Sequence, residues 1–179
     1  MAARPAFDDW FIYFPDDYRW SAALALILGS APYGGAELGE VTAVARELTG
    51  HVGDDEAWFR AWCQQADDLR EAATRAASRG CGLTASARYL RACGYYQIGE
   101  RFRLPKDDLA LSVYQRSVEC FEAYAALADA PRIERVEVPC EDGALPAYLV
   151  PPAAGAAPWR SPTSARDRRS TPLGSASWA

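Results

Sequence analysis

Residues 132–152 read RIERVEVPCEDGALPAYLVPP, the one β-hairpin pattern in a sequence otherwise patterned for helices. Val136 and Val138 alternate with Arg135 and Glu137, and Asp142-Gly143 is a strong turn signal between two extended runs. Leu145, Tyr148 and Val150 lead into Pro151-Pro152, which donate no ladder hydrogen bonds and close the second strand. A two-stranded hairpin is marginal by itself in water. This one has either to lean on the helices before it or to join strands beyond the pair, and the fold depends on which.

Working back from the hairpin, the chain divides into five helical stretches. Asp107-Asp108 caps a helix reaching Leu127, with Leu111, Tyr114, Val118, Phe121 and Ala125 as its apolar face. Before Leu104-Pro105 lies a helix from Ala85 to about Phe102, with Thr84 as cap and Tyr89, Ala92, Tyr96 and Gly99 along one side. Glu56 to Arg79 is a long amphipathic helix whose stripe is Trp58, Trp62, Ala66, Leu69 and Ala73, opened by Asp54-Asp55 and stopped by Gly80-Cys81-Gly82. Ala36 to Leu48 carries Leu38, Val41, Ala45 and Leu48 at helical spacing and stops at Thr49-Gly50. Tyr18 to Leu28 is a short apolar helix entered through Pro15-Asp16-Asp17. The expected fold is therefore mainly α: a helical domain over 1–131 and a β-hairpin over 132–152.

Residues 153–179 change character. They are mostly Ala, Ser, Arg, Pro, Gly and Thr, with Leu173 the only larger aliphatic and Trp159 and Trp178 the only aromatics. Such a segment buries too little to offset its ordering entropy, so a disordered tail is expected. Its four arginines and one aspartate give +3, leaving −8 for the rest of a chain whose net charge is −5. That acidity argues against a phosphate-backbone partner such as nucleic acid. The longest apolar run, Ala22 to Leu28, is far below the roughly 20 residues that span a bilayer, and the N-terminus lacks an apolar signal core. A cytoplasmic protein without a membrane partner is expected. Cys63, Cys81, Cys93, Cys120 and Cys140 are scattered, odd in number and without a C-x-x-C pair, which reads as reduced, mostly packed thiols. One histidine and dispersed cysteines make no recognisable metal set, and no cofactor is called for.

The order of features resembles α/β-hydrolases with an N-terminal helical cap, such as 2,6-dihydroxypseudooxynicotine hydrolase and esterases like the fermentation-respiration switch protein. The resemblance runs from about Trp10 to Pro152. It rests on Trp20 followed by YGGAELGEV, on RYLRACGYYQIGERF, on LSVYQRSVECFEAYAAL and above all on the hairpin string. That string is similar to the family's first two core strands. The resemblance implies a serine hydrolase whose cap covers a small-molecule substrate, with a Ser, Asp and His triad cleaving an ester, amide or C–C bond. Such chemistry needs a serine on a G-x-S-x-G turn, an oxyanion hole and a downstream histidine base.

No G-x-S-x-G or HGG-type string occurs in the 179 residues, and the only histidine, His51, precedes the hairpin. The expectation is a cap and opening hairpin that is inactive alone, with no catalytic residue assigned. The composition change after Pro152 suggests truncation by a frameshift or premature end, with a native disordered arm as the alternative for the tail. His51, between Gly50 and Val52-Gly53, reads as a turn residue. The adjacent aspartate pairs read as helix caps. Trp20, Trp58, Trp62, Tyr95 and Tyr96 are the candidates to line a substrate pocket, and the parent enzyme could also be a homodimer. The alternative is a tetratricopeptide-like interaction module, suggested by Leu90 to Gly94, Tyr95-Tyr96, Ala110, Tyr114 and Leu127, although no second copy appears at the expected spacing.

Overall fold

In a computed structural model the described residues are 12–128, 131–141 and 143–152. They form α1 (Tyr18–Leu28), α2 (Leu38–Leu48), α3 (Asp55–Ser78), α4 (Gly82–Glu100), α5 (Asp108–Leu127), β1 (Glu134–Cys140) and β2 (Gly143–Leu149), with short 3-10 turns at Ala31–Tyr33 and Thr49–His51. The tail reading for 153–179 and the contributions of Trp10 and Asp142 lie outside the described residues.

Acidic residues start four of the five helices. Asp17 accepts from the Trp20 N–H, Asp54 from Glu56 and Ala57, Asp107 from Ala110, and Glu37 from Glu40. Each satisfies amides that have no carbonyl one turn back. The exception is α4, which begins at Gly82, so that Thr84 lies inside its first turn instead of capping it. The cause is the end of α3. Gly80 takes a left-handed φ of 76°, its N–H bonds the Ala77 carbonyl at 2.9 Å, and the Cys81 N–H reaches back to Ala76 at 3.0 Å. This Schellman turn reverses the chain so tightly that α4 starts at once.

The three long helices pack in sequence order, α3 on α4 and α4 on α5, with α1 and α2 closing one side. The stripe expected on α3 is its buried face. On α5 the buried face is instead Ala110, Val113, Ser117 and Cys120, one residue out of phase with the expected stripe. Leu111 and Tyr114 of that stripe are 57% and 53% exposed. Small residues let α5 approach α4 closely; of the bulkier neighbouring stripe Leu111 and Tyr114 are left outside the contact, while Phe121 is partly buried against the core.

β1 and β2 form an antiparallel two-stranded sheet with Val138 opposite Leu145, Val136 opposite Ala147 and Arg135 opposite Tyr148. The face bearing Arg135 and Tyr148 touches α5. The Tyr148 ring meets Phe121 edge-on at 4.7 Å, and Arg135 bonds Glu122 at 2.8 Å. On the other face Val138, Leu145 and Leu149 are 47%, 60% and 50% exposed. The hairpin thus leans on the helices through one face and presents apolar side chains on the other.

Candidate functional site: a groove beside the hairpin

Trp20, Trp58, Trp62, Tyr95 and Tyr96 are brought together in the interior, and each is 0% exposed. Trp20, Trp58, Trp62 and Tyr95 form a continuous stack with successive ring centroids 4.8, 5.7 and 5.4 Å apart. Their polar atoms are committed to protein partners with one exception. The Trp20 indole donates to Asp55 at 3.0 Å and that of Trp58 to the Ile98 carbonyl at 2.8 Å. The Tyr95 hydroxyl accepts from the Glu37 N–H and donates to Glu40, which also receives Arg91. The Tyr96 hydroxyl donates to Asp67 at 2.5 Å. Only the Trp62 indole nitrogen is buried without a partner among the described residues. Burial, with the neighbouring carboxylates, pushes both tyrosine hydroxyls far up, so they remain protonated donors. Adjacent tyrosines on α4 thereby fasten α2 and α3, and the stack's surface is filled by protein.

Several clefts open among the described residues, and the one with the most apolar lining is on the outer side of α4. A groove of about 460 Å³ is walled by Leu26 and Ile27 of α1, by Leu90, Gly94, Gln97, Ile98 and Arg101 along α4 and its end, and by Phe121 of α5. Leu90, Gly94, Gln97 and Arg101 follow helical steps, so they form one strip. Gly94 is what admits the neighbouring segment. A Cβ there would stand 3.3 Å from both the Gly35 carbonyl and the Ile27 side chain. Phe121 belongs both to this wall and to the hairpin contact, so the groove opens beside the sheet. Its chemistry is apolar, with an amide from Gln97 and a guanidinium from Arg101.

Cys93 also lines the groove, but burial pushes its thiol up to about 11. Cys63 and Cys120 are pushed up to about 12 for the same leading reason. All three are neutral thiols near pH 7 and poor nucleophiles. His51 sits away from this site, in a separate cleft between α2 and α3 with Glu47, Gln64 and Asp68. Among the described residues no three His, Cys, Asp or Glu side chains converge on a common point, and no helix is long and apolar enough to cross a membrane. Of the groove strip, Leu90 and Gly94 are named in the sequence only for the tetratricopeptide-like alternative, and Gln97 and Arg101 carry no motif beyond the string RYLRACGYYQIGERF. The strip's usable signal is a glycine in mid-helix, at Gly94, flanked at helical spacing by Leu90 and Gln97.

The chain matches no protein-family model. It is similar to the hydrolase acrC of Aspergillus aculeatus, 39% identical over 153 residues that cover 82% of this chain and 35% of the relative. The α/β-hydrolase xenA of Xenoacremonium sinensis is 32% identical over 83% of this chain and 35% of its own length. The 20-hydroxy-prefusarin hydrolase FUS2 of Gibberella moniliformis is 36% identical over 71% and 30% respectively. The chain thus spans about a third of the length of the curated relatives it matches. The chain is therefore similar, over most of its own length, to proteins named hydrolases and α/β-hydrolases, a likeness consistent with an N-terminal fragment of such a protein.

Proposed function

We propose that this chain serves as the helical cap and opening hairpin of an α/β-hydrolase, and that the groove beside the hairpin receives the apolar part of a small-molecule substrate. The observation that carries this reading is the double role of Phe121, which walls the groove and packs on Tyr148 of the sheet. A hairpin with an exposed apolar face suits a sheet with further strands, because two strands alone are marginal. One relative is named for a small molecule, 20-hydroxy-prefusarin, which favours that substrate class here. The curated relatives are hydrolases, and this weighs against the helical-adaptor alternative.

In this reading the aromatic stack supplies rigidity, and substrate contact falls to the groove strip. The 179 residues hold no G-x-S-x-G nucleophile turn, and their one histidine lies in another cleft. Activating a serine, stabilising an oxyanion and shuttling its proton would therefore fall to residues other than these. A fluorophosphonate probe and a chromogenic ester test the claim on the purified chain. The expected outcome is neither covalent labelling nor turnover above solvent. Stoichiometric labelling of any serine would overturn it.

A further inference from the structure

We propose that Arg101 makes the groove selective for a substrate that ends in an oxygen anion, a carboxylate or an enolate, on an apolar body. The proposal rests on the reading that the groove is the substrate-facing surface. Four grooves can be compared among the described residues. Arg70 and Arg75 share theirs with Glu71 and Glu119, Arg60 shares its cleft with Glu47 and Asp68, and Arg103 lies with Asp55, Glu56 and Asp107. The wall beside the hairpin carries Arg101 and no carboxylate.

Arg101 makes no ion pair among the described residues, whereas Arg103 is held by Glu56 and Asp107. The neighbouring Glu100 is taken by Lys106. A guanidinium presents a planar fork that fits a carboxylate through two parallel N–H bonds, and it stays charged at any working pH. Gln97, one turn back along α4, donates one amide N–H to the Cys93 Sγ at 3.5 Å and has a second to offer on the same strip. Leu26, Leu90, Ile98 and Phe121 supply the apolar bed. In a chain of net charge −5, long-range attraction does not bring an anion here, so selectivity has to come from this local contact. The competing account places Arg101 at the end of α4 only to complement the helix dipole. That account predicts an effect on melting temperature and none on ligand choice.

The test titrates the full chain with octanoate and with octanamide, which match in length and differ in charge, using calorimetry and amide NMR shift mapping. Octanoate is expected to bind about fivefold more tightly, near the upper end for an exposed charge pair. Shifts should centre on Leu90, Gly94 and Phe121. Arg101→Gln should remove the preference by weakening octanoate more than octanamide, while Arg101→Lys should restore part of it. Equal binding of both ligands in the groove would overturn the role of Arg101 and leave the groove reading standing. Shifts mapping elsewhere, or no binding of either ligand at millimolar concentration, would overturn both.

Discussion

Trp58→Phe and Trp62→Phe should have unequal effects, although both residues are fully buried neighbours in one aromatic stack. The Trp58 indole N–H donates to the Ile98 carbonyl at 2.8 Å. Ile98 lies among the last four residues of α4, whose carbonyls lack a partner further along the helix. Replacing Trp58 by Phe strands that acceptor in the interior, at about 1–3 kcal/mol. Among the described residues the Trp62 indole nitrogen has no partner, so the same replacement there removes a buried donor that was already a liability. The loss of ring volume is common to both variants and largely cancels in their difference. Trp58→Phe should therefore be less stable than Trp62→Phe by about 2 kcal/mol or more. With a urea slope of about 2 kcal/mol per molar, the unfolding midpoints should lie about 1 M apart. Far-ultraviolet circular dichroism is the assay, since tryptophan fluorescence changes with the substitutions themselves. Equal midpoints, or a lower one for Trp62→Phe, would refute the assignment of Trp58 as the group that satisfies the end of α4.

Gly99→Ala should destabilise the chain by a net of about 1 kcal/mol in the same assay, because crowding in the α3–α4 contact outweighs the helix-propensity gain. Its Cβ would stand 3.0 Å from the Trp62 Cβ and 3.4 Å from the Cys63 Sγ. Asp107 is held down at about 2, first by Arg103 and then by the Ala110 N–H. A lowered carboxylate stabilises the fold above its unfolded value of about 4 and loses that contribution as pH falls from there towards about 2. Acid titration of stability should therefore show a drop in that window that Asp107→Asn diminishes, and superimposable acid limbs would contradict it. In the native chain Cys81 and Cys140 should react promptly with Ellman's reagent, and Cys63, Cys93 and Cys120 only on unfolding. A third fast thiol would contradict the buried placement.

The helix starts were legible because they depend on local chemistry. Asp17, Asp54 and Asp107 precede apolar periodicity, and in the structure each accepts backbone N–H groups of its own first turn. The start of α4 was misplaced by the same rule. Thr84 has the side chain of a cap, but the turn at Gly80 and Cys81 had already supplied the reversal through backbone bonds. The existence of the hairpin was legible as well, but not its register: a turn at Asp142-Gly143 would leave Gly143 outside the ladder, whereas it is the first residue of β2 and pairs with Cys140.

What a single sequence does not carry is which of two adjacent apolar stripes faces a neighbour. On α5 the bulky stripe of Leu111, Tyr114, Val118, Phe121 and Ala125 dominates the hydropathy pattern, yet Ala110, Val113, Ser117 and Cys120 make the contact. Close helix approach selects for small side chains, and that preference exists only once the partner helix is present. The same ambiguity conceals the groove. On α4 the aromatic stripe attracts notice and ends up wholly enclosed. The adjoining strip of Leu90, Gly94, Gln97 and Arg101 mixes apolar, small and polar residues and reads as a solvent face. A substrate wall has to remain open while offering both apolar contact and a few polar handles. On α4, unlike α5, the strongest hydrophobic periodicity marks the enclosed interior, and the mixed strip around the mid-helix Gly94 is the wall proposed for the ligand.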